Sequence, residues 1–355
     1  MATQRQTVSR MGGSLLAAAV LVLAAACSSA TATPTQTPLV GIPVTPTPAS
    51  SLDTGGSPTP VTATGPSIPT IKPGQAGTVK AWGDDSGGQT DVPAGLTGVV
   101  AIAAGDEFSL ALKSNGTVVG WGSDDAGETE VPAGLKNVAA ISAGSFFALA
   151  LLSDGTVTGW GDNSSGQTTI PAGLNHVVAI SAAGAHALAL KSDGTVVSWG
   201  SDDNGESELP AGLAGVAQIS GGQDFSLAVK KDGSVVAWGD KFPTDGSIST
   251  VKLPAGLGAV RQVSAGYFHS LAVKADGTVV GWGANDVGET DVPAGLKAVE
   301  IAAGGNFSVA IKSDGTVAVW GGNDSGQTTL PAGLSHVVSI EAGGSHILAI
   351  VASGS

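Results

Sequence analysis

Residues able to do chemistry are few in this chain of 355 residues. Histidine, the side chain best placed to move protons near neutral pH, occurs as His176, His186, His269, His336 and His346. Three of them, His186, His269 and His346, share one position of a recurring segment with Phe108, Phe147, Phe225 and Phe307. That sharing points to an inward structural ring. The lone cysteine, Cys27, allows neither a disulfide nor a Cys–His nucleophile pair within the chain. Carboxylates stand in pairs at Asp84-Asp85, Asp124-Asp125 and Asp202-Asp203. Paired acids suit general acid–base cleavage of a glycan or a uronate polymer. Acids recur in the same loop of every segment, however, whereas a catalytic site needs asymmetry. Loops such as Ser201-Asp202-Asp203-Asn204-Gly205-Glu206 lack the regular oxygen spacing of a calcium loop. Asp and Asn also serve simply as solvated turn residues that bond their own backbone. The sequence implies no cofactor and no metal.

What positions these residues is a repeat. Every tryptophan opens a Trp-Gly pair, at 82, 121, 160, 199, 238, 282 and 320, in steps of 39, 39, 39, 39, 44 and 38. A period near forty built of short apolar runs and turn residues marks a β-propeller or a solenoid. One unit runs from Val99 to Val131 as four pieces of strand length, which predicts four-stranded antiparallel blades. Asn115-Gly116, Asp154-Gly155 and their equivalents predict two-residue hairpins with both central residues at positive φ. Pro93, Pro132, Pro171 and their equivalents fall in the fourth piece, which predicts that it is the outer edge strand. Residues 77–93 supply only the last two pieces of a unit and residues 337–352 only the first two. Together they predict a seventh blade and a closed ring, an all-β seven-bladed β-propeller over 77–355.

Residues 1–26 lie outside the repeat. Arg5 and Arg10 precede an apolar stretch from Leu15 to Ala26, too short for a comfortable membrane span, which reads as an export signal. It ends in Leu23-Ala24-Ala25-Ala26-Cys27, similar to the lipobox of bacterial lipoproteins, so Cys27 is the expected lipidation site. Residues 27–76 are rich in Thr, Pro, Ser and Ala and read as a disordered, extended tether. The chain is therefore expected to be exported and membrane-anchored to a bacterial envelope, facing the extracellular or periplasmic side. The formal charge of −14 becomes about −16 once residues 1–26 are removed. Acidity, export and the lack of a basic cluster exclude nucleic acid as a partner.

The run Ala265-Gly-Tyr-Phe-His-Ser-Leu-Ala-Val273, followed by Asp276-Gly277 and Trp282-Gly283, resembles the regulator of chromosome condensation repeat family. Within it, runs such as Trp82-Gly-Asp-Asp-Ser-Gly-Gly-Gln-Thr-Asp-Val-Pro-Ala are closest in length to β-lactamase-inhibitory proteins of the second type. The resemblance implies a seven-bladed propeller. Those inhibitors engage their enzymes through aromatic residues at a position matched here by Glu107, Phe146, Ala185, Asp224, Phe268, Asn306 and Ser345. Only two of these are aromatic, so most of the inhibitory anchor set is missing.

Strand alternation places the loops after Trp-Gly and the loops before the ring positions on one face, with the Asp-Gly hairpins on the other. The first face is acidic, with Asp84, Asp106, Asp124, Asp125, Asp202 and Asp203 among its residues, and should attract a basic partner. The step of 44 enlarges the segment from Lys241 to Ile248, which carries Phe242 close to Tyr267 and Phe268. Aromatic anchors dominate interface energetics, so Phe242, Tyr267, Phe268 and Phe146 are the candidate partner-binding residues. The step of 38 reflects a deletion near Leu296-Lys297-Ala298 to which the sequence attaches no role. The reading is a non-catalytic surface scaffold for a protein or cell-wall partner. The alternatives are a carbohydrate-active or metal-dependent propeller enzyme, and an inhibitor of β-lactamases or penicillin-binding proteins.

Overall fold

A computed structural model describes residues 77–240 and 251–352. Cys27 and Phe242 lie outside those residues. Every described element is a strand. Unit one comprises β2 (Val99–Ala104), β3 (Phe108–Lys113) and β4 (Val118–Gly122), and unit two β5 (Val138–Ala143), β6 (Phe147–Leu152) and β7 (Val157–Gly161). Unit three is β8 (Val177–Ala182), β9 (His186–Lys191) and β10 (Val196–Gly200). Unit four is β11 (Val216–Gly221), β12 (Phe225–Lys230) and β13 (Val235–Gly239). Unit five is β14 (Val260–Ala265), β15 (His269–Lys274) and β16 (Val279–Gly283), and unit six β17 (Glu300–Ala303), β18 (Phe307–Ile311) and β19 (Val317–Gly321). In unit seven, β20 (Val337–Ala342) and β21 (His346–Ala352) are joined by β1 (Gly77–Gly83), which pairs antiparallel with β21 from Gly77↔Ala352 to Gly83↔His346. These repeated antiparallel sheets form an all-β propeller.

Each unit has three strands, not the expected four. The proline-bearing segment is a pair of turns: Val131 N–H donates to the Thr129 carbonyl at 2.9 Å and Leu135 N–H to the Pro132 carbonyl at 3.0 Å. Backbone groups that bond so locally are unavailable to a ladder, and proline has no N–H to offer one. The hairpins differ as well. Gly116 N–H closes on the Lys113 carbonyl at 2.8 Å, and only the glycine, at φ 77°, is in the left-handed region. That is the three-residue loop in which a turn is followed by a glycine bulge, and Asn115 contributes its side-chain oxygen to Thr117 N–H at 3.1 Å.

The core lies between units. Alternation along a middle strand puts Phe108, Leu110 and Leu112 on one face and Ser109 and Ala111 on the other. The large face of unit one packs against Ala148, Ala150 and Trp160 of unit two. The same large-on-small contact recurs onward to unit seven, where Leu348 and Ile350 meet Ala111 and Trp121 of unit one. Each tryptophan is buried and ties neighbours together, as Trp121 Nε1 donates to the Gln89 carbonyl and Trp160 Nε1 to the Glu128 carbonyl, both at 2.9 Å. The glycine after it allows a close approach: a Cβ on Gly122, whose φ is 107°, would stand 2.6 Å from the Glu107 carbonyl oxygen.

The short step near residue 297 has a definite consequence. In the other six units the first strand carries a bulge, as between Val99 and Ala101, whereas β17 pairs with β18 without a register shift. The missing residue is the bulge residue, because removing one residue from a two-against-one pairing restores a plain ladder.

Candidate functional site

The first-to-second-strand loops gather at one mouth of a central channel. Their backbones are linked from unit to unit: Asp106 N–H donates to Ser145 O at 3.2 Å, Ser145 N–H to Gly184 O at 3.2 Å and Gly184 N–H to Gly222 O at 3.1 Å. The series continues through Tyr267 N–H to Gly304 O at 3.3 Å and reaches Gly344 N–H to Gly105 O at 3.1 Å. Small residues of the first strands line the channel, a cavity of about 170 Å³. Ser142, Ser181, Ser220 and Ser264 each accept a backbone N–H from the next unit, at 2.9 to 3.0 Å.

Tyr267 is not a free anchor at this mouth. Its ring lies beside Gly305 and Gly344, where an added Cβ would meet it at 3.2 and 2.7 Å. Its hydroxyl is hydrogen-bonded to the Asp106 side chain on the far side of those units. Burial pushes the Tyr267 phenol up, reinforced by the Asp106 charge, and burial also raises Asp106 above the usual carboxylate range. Phe268 stands edge-on to Tyr267, ring centroids 6.3 Å apart, and remains 51% exposed. Phe146 is 44% exposed in unit two. Among the described candidate residues, the ring contact is between the chain neighbours Tyr267 and Phe268.

The acidic loops are largely committed to their own geometry. Asp85, Asp124 and Asp202 each accept the N–H five residues on, at 2.9 to 3.0 Å, and Asn163, Asn285 and Asn323 do the same. Glu128, Glu206 and Glu289 are buried and take the N–H two residues back, at 2.7, 2.8 and 3.0 Å. Asp125 and Asp203 are exposed and outside that framework. Asp224 is the strained member of the rim: burial raises its carboxyl, with Glu206, Asp240 and Asp203 adding like charge.

The histidine ring is buried, as its sharing with phenylalanine suggested. His186, His269 and His346 meet Ser226, Ser308 and Ser109 of the next unit through Nε2, at 2.9, 3.0 and 3.0 Å. These contacts have the reach of a Ser–His nucleophile pair but the wrong polarity. Each serine hydroxyl donates to a backbone carbonyl, Ser308 to Glu289 O at 2.7 Å, so it accepts from an Nε2–H histidine. That tautomer leaves Nδ1 without a proton, and Nδ1 is buried without a partner in all three. Burial pushes each imidazole down to about 4, so it is neutral and inaccessible.

Two further carboxylates, Glu300 in the core and Glu341 in the channel, went unnoticed in the sequence. Glu341 lines the channel where the other units place Ala or Ser and is exposed to that void; desolvation by the channel walls, then the charge of Glu300, pushes its carboxyl up. Glu300, at the unbulged start of β17, is pushed up to about 7 by burial. Each is the one charged residue at its repeat position, a departure visible only when the units are aligned by their ladder register. Among the described residues, no three His, Cys, Asp or Glu side chains are grouped to hold a metal ion.

The chain matches the family described as regulator of chromosome condensation (RCC1) repeat at residues 99–128, 138–167, 172–206, 216–241, 260–289 and 298–327, about half its length. No curated protein matches it. Among solved structures, Prp20p of Saccharomyces cerevisiae is similar at 19% identity and a TM-score of 0.66, over 79% of this chain and 92% of that one. Human WBSCR16 is similar at 20% identity and a TM-score of 0.63, over 78% of this chain and 100% of that one. The ectodomain of the Arabidopsis thaliana receptor kinase ACR4 follows at 23% identity and 0.55, over 68% and 87%. At such identities the likeness is one of fold.

Proposed function

The chain belongs to the regulator of chromosome condensation repeat family, and from that membership we propose a non-catalytic, seven-bladed binding scaffold whose channel-mouth face engages a protein partner. The observation that carries the reading is Phe268, half exposed and braced edge-on against a tyrosine whose hydroxyl is itself held by Asp106. A large aromatic held in one orientation loses little freedom on binding, which is what makes such residues anchors. Asp125 and Asp203, exposed on the same face, favour a partner with a basic surface and speed its encounter at low salt. Support for a protein ligand comes from the yeast neighbour, studied with its binding to Gsp1p and histones. A non-enzymatic role fits the buried, neutral histidines and the loop acids already engaged with backbone N–H groups. The export signal, lipidated Cys27 and tether over 27–76 would hold the scaffold on the outer side of a bacterial membrane.

The test is capture from solubilised envelope and secreted proteins on the immobilised chain, at low and high salt, beside Phe268→Ala and Phe242→Ala variants. A partner whose retention falls about tenfold or more in Phe268→Ala, and falls again with salt, supports the reading. Retention indifferent to both would sink it.

A further inference from the structure

The central channel holds one charge that its lining does not answer. At the last position but one of the first strand, four units carry serine, units one and six carry Ala103 and Ala302, and unit seven carries Glu341. Ser142, Ser181, Ser220 and Ser264 each take the N–H that the following unit turns toward them, as Ser142 takes that of Ala182 at 2.9 Å. Glu341 stands in the place of that serine but makes no such bond. Its side chain is exposed to the channel void, and among the described residues no donor is hydrogen-bonded to its carboxylate.

The rest of the lining offers oxygens and no positive charge. Gly105 N–H bonds to the Phe108 carbonyl, so the alternation of an antiparallel ladder turns the N–H and C=O of Ala104 away from their own sheet and toward the channel. Ala104 and its six equivalents all line the cavity, and their carbonyl oxygens are free of the ladder. The titratable side chains of the lining are Asp106 and Tyr267 at the mouth and Glu341 within; among the described residues no Lys, Arg or His lines it. Glu300, packed behind, adds a like charge to Glu341. A carboxylate confined in such a space gains most from a counter-ion that carbonyl and hydroxyl oxygens can also solvate.

We propose that the channel binds one compact monovalent cation, of potassium or ammonium size, against the Glu341 carboxylate and the carbonyl and serine oxygens of the inner strands. The cavity of about 170 Å³ has room for roughly five water-sized particles at about 30 Å³ each, which suits such an ion with a few waters and excludes a bulky organic cation. A divalent ion such as calcium asks for several carboxylates at one point, and among the described residues no three acids are grouped. Binding requires Glu341 ionised, so affinity rises with pH. Asp106 at the mouth and Glu300 from β17 gain charge in the same direction, Tyr267 stays protonated, His346 from β21 is neutral and β2 brings no titratable residue.

The experiment follows the methyl NMR signals of Ala103 and Ala342, both in the channel lining, in the full chain carrying isotope-labelled alanine. Potassium chloride or ammonium chloride replaces N-methylglucamine chloride, whose cation is too large for the cavity, at constant ionic strength and at pH 6 and pH 8. Saturable shifts with potassium, ammonium or both, several-fold tighter at pH 8 and weakened tenfold or more in Glu341→Ser, are the expected result; the ion that saturates at the lower concentration is the preferred one. Glu341→Ser should fold because four units already carry serine there, and Glu341→Gln, which keeps the size and removes the charge, must weaken binding as well. No shift, a shift that grows without saturating, or one that persists unchanged in either variant would each overturn the proposal.

Discussion

The His–Ser pairs make the stability of this protein depend on pH in a way that one paired substitution isolates. His269 is neutral when folded, pushed down from an ordinary 6.5 to about 4 by burial. Between those values the unfolded chain takes up a proton that the folded chain cannot. The contribution is therefore present in full above pH 6.5 and is lost as pH falls toward 4, at about 1.4 kcal/mol per pH unit, or about 3 kcal/mol for each such histidine. Glu300 works the other way. Its raised value means the folded state holds a proton that the unfolded state has released, so its contribution is present below 4.5 and is lost as pH rises through about 7. Glu341 acts in the same direction but weighs less, because its carboxyl shares the channel void.

The units themselves supply the replacement, since Phe108 faces Ala148 and Phe147 faces Ala187 at the same two positions. Gly266 leaves the space beside His269 that Gly105 leaves beside Phe108, whereas Ala183 stands there for His186. His269→Phe with Ser308→Ala should therefore fold. Urea unfolding followed by tryptophan fluorescence and circular dichroism at pH 4.5, 5.5 and 6.5 gives the slope of stability against pH. The variant's slope should be lower than the parent's by about 1.4 kcal/mol per pH unit, with the opposing glutamates common to both. Coincidence of the two probes checks that a single transition is being followed. An unchanged slope would refute the assignment of His269 as a buried neutral group.

Ser270 is the counterpart that never found its histidine: Phe225 stands before it and its hydroxyl is buried without a partner. Ser270→Ala should therefore raise stability by about 1 kcal/mol, whereas Ser308→Ala alone should lower it by a similar amount, both read from melting curves. Tyr267→Phe removes the bond to Asp106 and should cost about 1 kcal/mol, while titration of Asp106 by NMR shows whether loss of that stabilising donor raises its carboxyl further. On the acidic face, Asp124→Ala should destabilise its loop by about 1 kcal/mol because Thr129 N–H loses its acceptor. Asp125→Asn should leave the melting temperature alone and change only the salt dependence of partner association.

The repeat was legible because it is an average. Trp-Gly, Asp-Gly and the Leu-Ala-Leu runs recur, and a recurring residue type reports the environment that every unit shares. The fourth strand was misread for the same reason: proline at a regular position matches an edge strand, and only the local bonds of Val131 and Leu135 show that the segment turns instead. The paired loop acids were visible as charge, yet whether Asp124 faces a partner or Thr129 N–H is a matter of geometry that composition does not carry. What averaging hides is the single departure, and the departures are where this ring has chemistry left over. Tyr267, the lone tyrosine, reaches across two units; Glu341 stands where serine or alanine lines the channel; Glu300 enters where one unit has lost its bulge. A ring of like units cancels its own polar groups by passing each N–H to the next carbonyl or hydroxyl. Glu300 Oε2, buried and without a partner among the described residues, is an oxygen that this circuit does not reach.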